Sequence, residues 1–151
     1  MSVAERLAEL GITLPDVAKP VASYIPCVTT GSLAYTSGQL PMRDGQLITT
    51  GKVGGEVTPE EAMACAKQCA LNALAAINAE IGIERVTRIV KAVVFVASTP
   101  DFTGQPGVAN GASELLGEIF GDAGRHARSA VGVPVLPLDS PVEVELIVEF
   151  A

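Results

Sequence analysis

The chain has 151 residues, enough for one domain with a hydrophobic core of its own. Its 17 acidic and 10 basic residues give a net charge of −7, which argues against non-specific nucleic-acid binding, because such binding depends on basic side chains that neutralise phosphates. Aromatic residues make up only 4% of the chain, so the sequence offers no platform for stacking bases. We therefore expect no nucleic-acid partner.

Residues 1–6 contain no basic stretch followed by an apolar run, and no segment approaches the roughly 18 consecutive apolar residues of a membrane span. We expect a cytoplasmic protein without a membrane partner. Cys27, Cys65 and Cys69 form an odd set without metal-ligand spacing, which predicts free thiols. A redox pair of Cys65 and Cys69 is the alternative to small packing residues, and packing is favoured. With His126 as the only histidine, we predict no metal site and no cofactor.

The first predicted element is a short capped helix over residues 2–10, which Gly11 ends. A lead-in segment with two prolines follows it. We therefore interpret residues 1–20 as an N-terminal extension and residues 21–151 as a single domain.

Alternation between residues 24 and 38 predicts two short strands joined at Gly31. The next helix begins at Thr58, which is a suitable N-cap, with proline at the first helical position and Glu61 placed to complete a capping box. This helix should end at Ile81. Its body is rich in alanine, so its backbone can approach a sheet closely.

The strand predicted over residues 86–97 is apolar on both faces, and a second long helix is predicted near residues 106–120. These elements indicate an α+β domain with a mixed sheet packed by two helices. Helices on one side of the sheet leave the other side uncovered. A second subunit is the most economical cover for that side.

Two strand-like runs, residues 126–133 and 142–150, flank a loop that contains proline. Paired as a hairpin, they place Arg128 opposite Ile147, on the same face as the glutamates and about 13 Å from Glu143 at roughly 3.3 Å per residue. A permanently charged guanidinium in an apolar strand implies a carboxylate partner. That partner is either a ligand or the glutamate face of the sheet, which the arginine would neutralise.

Three segments carry a resemblance to a known family. Residues 128–133, followed by Leu136-Pro137 and residues 142–145, are similar to the C-terminal signature of the RidA/YjgF family. Residues 36–41, with Tyr24 ahead of them, resemble its early Ser-Gly-Gln-Leu-Pro turn, and a third, weaker match consists of residues 94–96, Asp101-Phe102 and Asn110. Members are reactive enamine/imine deaminases, also called L-PSP endoribonucleases. The resemblance implies a chorismate-mutase-like fold and a homotrimer with a barrel-like centre and ligand sites between subunits.

The implied reaction is hydrolysis of enamine or imine intermediates to 2-oxo acids and ammonia. Arg128 would bind the substrate carboxylate bidentately, and Glu143 would activate the attacking water. The resemblance implies further substrate contacts from Tyr24, Ser37, Gly38, Asn110 and Ala130.

Several of these residues have structural alternatives. Tyr24 is equally suited to anchoring a strand edge, Ser37 to forming a turn and Asn110 to capping or interrupting a helix. Ala130 stands where many members have cysteine, which puts thiol chemistry in doubt. Gly132 replaces a commonly larger residue, from which we expect a roomier pocket.

A protein that binds small carboxylates such as 2-oxo acids without turnover, as a sensor, is the alternative function. Both functions require Arg128, whereas only the enzyme requires Glu143 to handle water.

Overall fold

The computed structural model describes residues 1–20 and 22–151, so Val21, the first residue of the predicted single domain, lies outside the described part. The predicted α+β class, with a mixed sheet and covering helices, is confirmed. The described elements in chain order are α1 (Val3–Glu9), β1 (Cys27–Thr30), β2 (Leu33–Thr36), β3 (Met42–Arg43), β4 (Gln46–Leu47), α2 (Pro59–Ile81), β5 (Val86–Ala97), α3 (Gln105–Phe120), β6 (Ala127–Val133) and β7 (Val142–Phe150).

Five strands form one sheet in the order β1-β2-β7-β5-β6, and β3 and β4 form a separate two-stranded ribbon. The predicted β6–β7 hairpin is wrong. β6 pairs with β5 in parallel, with Arg128 opposite Ala92, while Ile147 of β7 pairs with Lys91 on the other side of β5. The physical reason is that β5, α3 and β6 form a strand-helix-strand crossover, which returns the chain parallel to β5 and leaves this apolar strand paired on both sides.

α2 begins and ends where the sequence predicts. The Thr58 hydroxyl accepts the backbone N–H of Glu61 at 3.1 Å, and Gly82 follows the last turn with φ 83°. The Glu61 carboxylate accepts the Thr58 hydroxyl instead of the N-cap backbone N–H, so only half of the predicted capping box forms.

The helices cover one face of the large sheet. The predicted alternation in β7 is confirmed, since Val142, Val144, Leu146 and Val148 are buried against them. In β5, register irregularities before Lys91 place Ile89 on the same buried face as the later residues, although simple alternation predicts the opposite.

Both cysteines of α2 are packing residues. Cys65 and Cys69 are free and fully buried. Burial raises the pKa of Cys65 to about 11 and raises that of Cys69 well above its usual value, so neither thiol ionises readily at neutral pH.

The N-terminal helix docks on its own chain. Ser2 forms a capping box with Glu5, and the Glu84 carboxylate accepts the backbone N–H groups of Val3 and Ala4 at 2.9 and 2.8 Å. This carboxylate satisfies helix donors that would otherwise lack partners.

α2 and α3 approach so closely that one position tolerates no side chain. A Cβ at Gly111 would overlap the backbone carbonyl of Met63, whereas one at Gly117 would have no neighbour within 4 Å. We expect Gly111→Ala to lower the free energy of unfolding by about 1–3 kcal/mol. Gly117→Ala should raise it by up to about 1 kcal/mol through helix propensity. Urea denaturation measures both, and equal effects of the two substitutions would contradict the close contact.

Candidate functional site

Arg128 lies on the edge strand β6 and points toward α3. Its Nη1 donates hydrogen bonds to the Asn110 Oδ1 at 2.8 Å and to the Ser113 Oγ at 3.2 Å. Its strand neighbour Ala92 is buried on the helix side, so Arg128 lies on that side and not on the glutamate face as predicted. The side chain is half-buried and forms no ion pair with an acidic group of residues 1–20 and 22–151.

A chain of uncharged groups holds the Arg128 guanidinium. The Ser113 Oγ lies 2.9 Å from the Nε2 of His126, whose Nδ1 lies 2.6 Å from the carbonyl oxygen of Gly124. Because a carbonyl only accepts, this geometry assigns the proton of a neutral ring to Nδ1, and Nε2 then accepts the Ser113 hydroxyl proton. The Ser113 oxygen remains available as the acceptor for Arg128.

Sequence reasoning missed Ser113 and His126 as supports for Arg128. Ser113 follows Asn110 by three residues in a helix, which places both on one helix face. That spacing was the available signal. In the described part of the chain, the Arg128 Nε and Nη2 have no hydrogen-bond partner, so one edge of the guanidinium is available to a ligand.

Glu143 lies on the opposite face of the sheet. It is half-buried, and burial, followed by the negative charge of Glu145, raises the pKa of its carboxyl above the usual value. Gly38 packs directly on it, because a Cβ at position 38 would lie 2.7 Å from the Glu143 Cδ. The predicted Ser-Gly turn and the predicted glutamate are therefore in contact.

Ser37 and Tyr24 lie near this contact. The Ser37 hydroxyl donates to the Ile25 carbonyl at 2.6 Å, so its proton serves a local structural bond, as the turn alternative predicts. Tyr24 is 42% exposed. It lines a cavity of about 790 Å³ together with Gly38.

The remaining two β6 positions, Ala130 and Gly132, lie on the helix side of the sheet. Ala130 is half-buried on the helix side and contacts the edge of the core. The Gln105 amide lies beside Gly132, since a Cβ at Gly132 would lie 2.7 Å from the Gln105 Nε2, and the roomier pocket stays a prediction. Gln105 in turn donates to the Ser98 Oγ and the Phe102 carbonyl.

Within one chain, the predicted site residues form two separate groups. β5 lies between Arg128 on β6 and Glu143 on β7, so these strands are about 10 Å apart. The strand partners of the two residues on β5 are Ala92 and Phe95, so the two residues are also offset by about 10 Å along the strand direction. Their side chains also lie on opposite faces. One chain therefore brings Arg128 to Asn110, and Glu143 to Gly38, but does not bring the two groups together.

The uncovered face of the sheet carries exposed apolar side chains beside the glutamates of β7. Among its side chains, Val28, Tyr35 and Val131 are 46%, 41% and 43% exposed, and Phe95 is half-buried. No helix in the described part of the chain is long and apolar enough to cross a membrane. Residues 1–20 and 22–151 also contain no group of three or more His, Cys, Asp or Glu side chains arranged to hold a metal ion.

Comparisons with a family model and with known proteins all indicate the same family. Residues 4–150 match the model of the YjgF/chorismate mutase-like family, whose description also names an endoribonuclease. Protein TCP17 of Trypanosoma cruzi is 46% identical over 149 residues, covering 97% of this chain and 93% of that protein. A 2-iminobutanoate/2-iminopropanoate deaminase of Dermatophagoides farinae is 30% identical over 137 residues, covering 91% and 93%.

A solved structure agrees with this match. The crystal structure of protein Atu1372 from Agrobacterium tumefaciens has a TM-score of 0.91 and 43% sequence identity, covering 99% of this chain and 92% of that one. The family model spans nearly the whole described chain, including both groups of candidate residues. The chain therefore belongs to the RidA/YjgF family.

Proposed function

We propose that the protein hydrolyses reactive enamines and imines to 2-oxo acids and ammonia, at sites built between the subunits of a homotrimer. Water adds to the C=N carbon, the C–N bond then breaks, and the nitrogen leaves as ammonia. The observation that carries the proposal is the separation of Arg128 from Glu143 within one chain, combined with an available edge on Arg128 and a half-buried carboxyl on Glu143.

The proposed trimer would bring the two groups together. β6 is an edge strand, so its Arg128 lies at a border of the sheet where a neighbouring chain can approach. The exposed apolar side chains of the uncovered sheet face, Val131 among them, are of the kind that subunit association buries. Three such faces would enclose the barrel-like centre that the family resemblance implies.

Arg128 is proposed to bind the substrate carboxylate. Its Nε and Nη2 form a planar fork that matches two carboxylate oxygens. Asn110 and Ser113 hold Nη1 without neutralising the guanidinium charge, so the full attraction for an anion is retained. This anchoring sets the position of the imine carbon relative to the attacking water.

Glu143 is proposed as the general base for that water. Its carboxyl forms no hydrogen bond or ion pair within the described chain, and its raised pKa favours proton uptake. The proton it takes up is available to the departing amine. Because Gly38 has no side chain, its backbone can lie against this carboxyl, and Tyr24 lines the same cavity as Gly38.

Removing the proposed base tests turnover separately from binding. We expect Glu143→Gln to lower kcat on imines generated in situ by an amino-acid oxidase by about 100-fold or more, because general-base catalysis contributes about that factor. Binding of pyruvate, measured by calorimetry, should persist. Glu145→Gln, on the same strand and face, is the matched control and should retain turnover. A wild type that binds 2-oxo acids but turns over no imine would favour the carboxylate sensor.

The raised pKa of Glu143 predicts an acid limit to activity. The base must be ionised, so kcat/KM should fall as pH decreases through this raised pKa. The contribution of Glu143 to the free energy of unfolding should instead increase as pH decreases. A pKa raised by folding means that ionisation opposes folding, so protonation of this carboxyl adds stability. In Glu145→Gln, loss of the like charge should shift the activity limit to lower pH. If Glu145→Gln and the wild type had the same pH profile of kcat/KM, the role of Glu143 as general base would be contradicted.

Arg128→Gln should weaken pyruvate binding by about 10- to 100-fold, the loss expected when a charge-assisted bidentate contact is removed. Arg125→Gln, an exposed arginine three residues earlier, is the control. Equal affinity of Arg128→Gln and wild type in calorimetry would refute the carboxylate contact.

Mixing two inactive variants tests whether the site is shared. Glu143→Gln and Arg128→Gln chains are unfolded together in equal amounts and refolded as mixed trimers. Each neighbouring pair has a one-in-four chance of combining an intact Glu143 with an intact Arg128, so about a quarter of wild-type activity should return. If assembled mixed trimers show no recovery, each site lies within a single chain.

A further inference from the structure

One buried amide remains available for a ligand. Gln39 is only 6% exposed, and its backbone pairs with Val144 through hydrogen bonds of 2.8 and 3.0 Å. Its side-chain amide makes no hydrogen bond to the described residues, and since none of their sealed side-chain polar atoms lacks a partner, the amide is accessible from the cavity of about 790 Å³ that it lines. A polar group of a ligand in this cavity would therefore find a hydrogen-bond partner in this amide.

A second polar group of the cavity, the Arg43 guanidinium, is hydrogen-bonded to a buried pair of side chains. The Arg43 Nε donates to the Gln68 Oε1 at 3.3 Å, and the Gln68 Nε2 donates to the Asn72 Oδ1 at 3.1 Å. Asn72 is fixed in turn by the carbonyls of Leu40 and Met42, both at 3.0 Å. Gln68 and Asn72 are 7% and 2% exposed, so the bond between them is buried, whereas the bond to the exposed Arg43 is part-buried.

The terminal nitrogens of Arg43 are available. In the described part of the chain, they form no hydrogen bond and no ion pair. Lys19, Asp16 and Asp44 also line the cavity; they are exposed, as Arg43 is, but unlike Arg43 they make no hydrogen bond to a buried side chain. Arg43 is therefore the one charged group of this lining that buried side chains orient.

The cavity lies close to the proposed catalytic group, although Glu143 itself does not line it. Gly38, which packs on Glu143, lines it, as does Tyr24. Its walls include apolar residues of the N-terminal lead-in, such as Leu14 and Val17. A volume of about 790 Å³ far exceeds the needs of a three-carbon imine and falls in the range of pockets that enclose larger ligands.

We propose that this cavity receives the substrate side chain and favours imines of amino acids whose side chains end in a carboxylate. Arg43 binds that distal carboxylate and Gln39 donates a hydrogen bond to it, while the apolar lead-in packs on the methylene groups. The inference rests on the proposed function, because its link to Glu143 is Gly38, which lines the cavity and lies against that carboxyl. It gives the N-terminal extension a part in substrate selection.

Calorimetry with two 2-oxo acids of similar length tests the pocket directly. 2-Oxoglutarate carries the distal carboxylate, and 4-methyl-2-oxopentanoate carries an apolar end instead. We expect 2-oxoglutarate to bind at least about tenfold more tightly, since a charge-assisted hydrogen bond contributes about that factor. Arg43→Gln should remove the difference and leave the affinity for 4-methyl-2-oxopentanoate unchanged. Gln39→Leu should also lower the affinity for 2-oxoglutarate.

Arg125→Gln is the matched control, because it removes an exposed positive charge outside the cavity. Equal binding of the two acids by the wild type, or no effect of Arg43→Gln, overturns the inference. Measurements of imine hydrolysis test the proposed function separately from this pocket. Glu143→Gln should abolish hydrolysis of the imines from glutamate and leucine alike, whereas Arg43→Gln should slow only the first. Preference for 2-oxoglutarate without any turnover would retain the pocket and reject the hydrolase.

Discussion

The pairing of β5 on both edges is the constraint on which the rest of the structure depends. Because its helix-facing residues Ala92, Val94 and Val96 are fully buried, this strand must lie in the interior of the sheet. The crossover through α3 then places β6 at one edge, and β7 occupies the other side of β5. Arg128 and Glu143 are consequently separated by a strand and face opposite sides, although only 15 positions separate them in the sequence.

The two candidate groups have opposite electrostatic environments. Arg128 is surrounded by neutral acceptors, with the imidazole of His126 completing the chain behind Ser113, so its charge is oriented without being compensated. Glu143 is half-buried beside another glutamate, so its charge is disfavoured. A cation kept uncompensated suits the binding of an anion, and a carboxyl with a raised pKa suits proton transfer.

Local patterns predicted the elements well. Thr58, Pro59 and Gly82 set the limits of α2, and alternation identified the buried face of β7, because these features depend on neighbours in sequence. The strand order was missed, since a loop containing prolines is compatible with both a hairpin and a crossover. Because the strand order was wrong, Arg128 was also predicted on the wrong face of the sheet. The supports of Arg128 and Arg43 depend on residues far apart in sequence and could not be found by spacing alone.

The three buried thiols have a practical consequence. Cys27, Cys65 and Cys69 are the only cysteines of the chain, and burial raises the pKa of each. Maleimide reagents attack exposed thiolates, so the native cysteines should react slowly while the protein is folded. A fluorophore or spin label can therefore be attached at a single introduced surface cysteine without first replacing the natural ones.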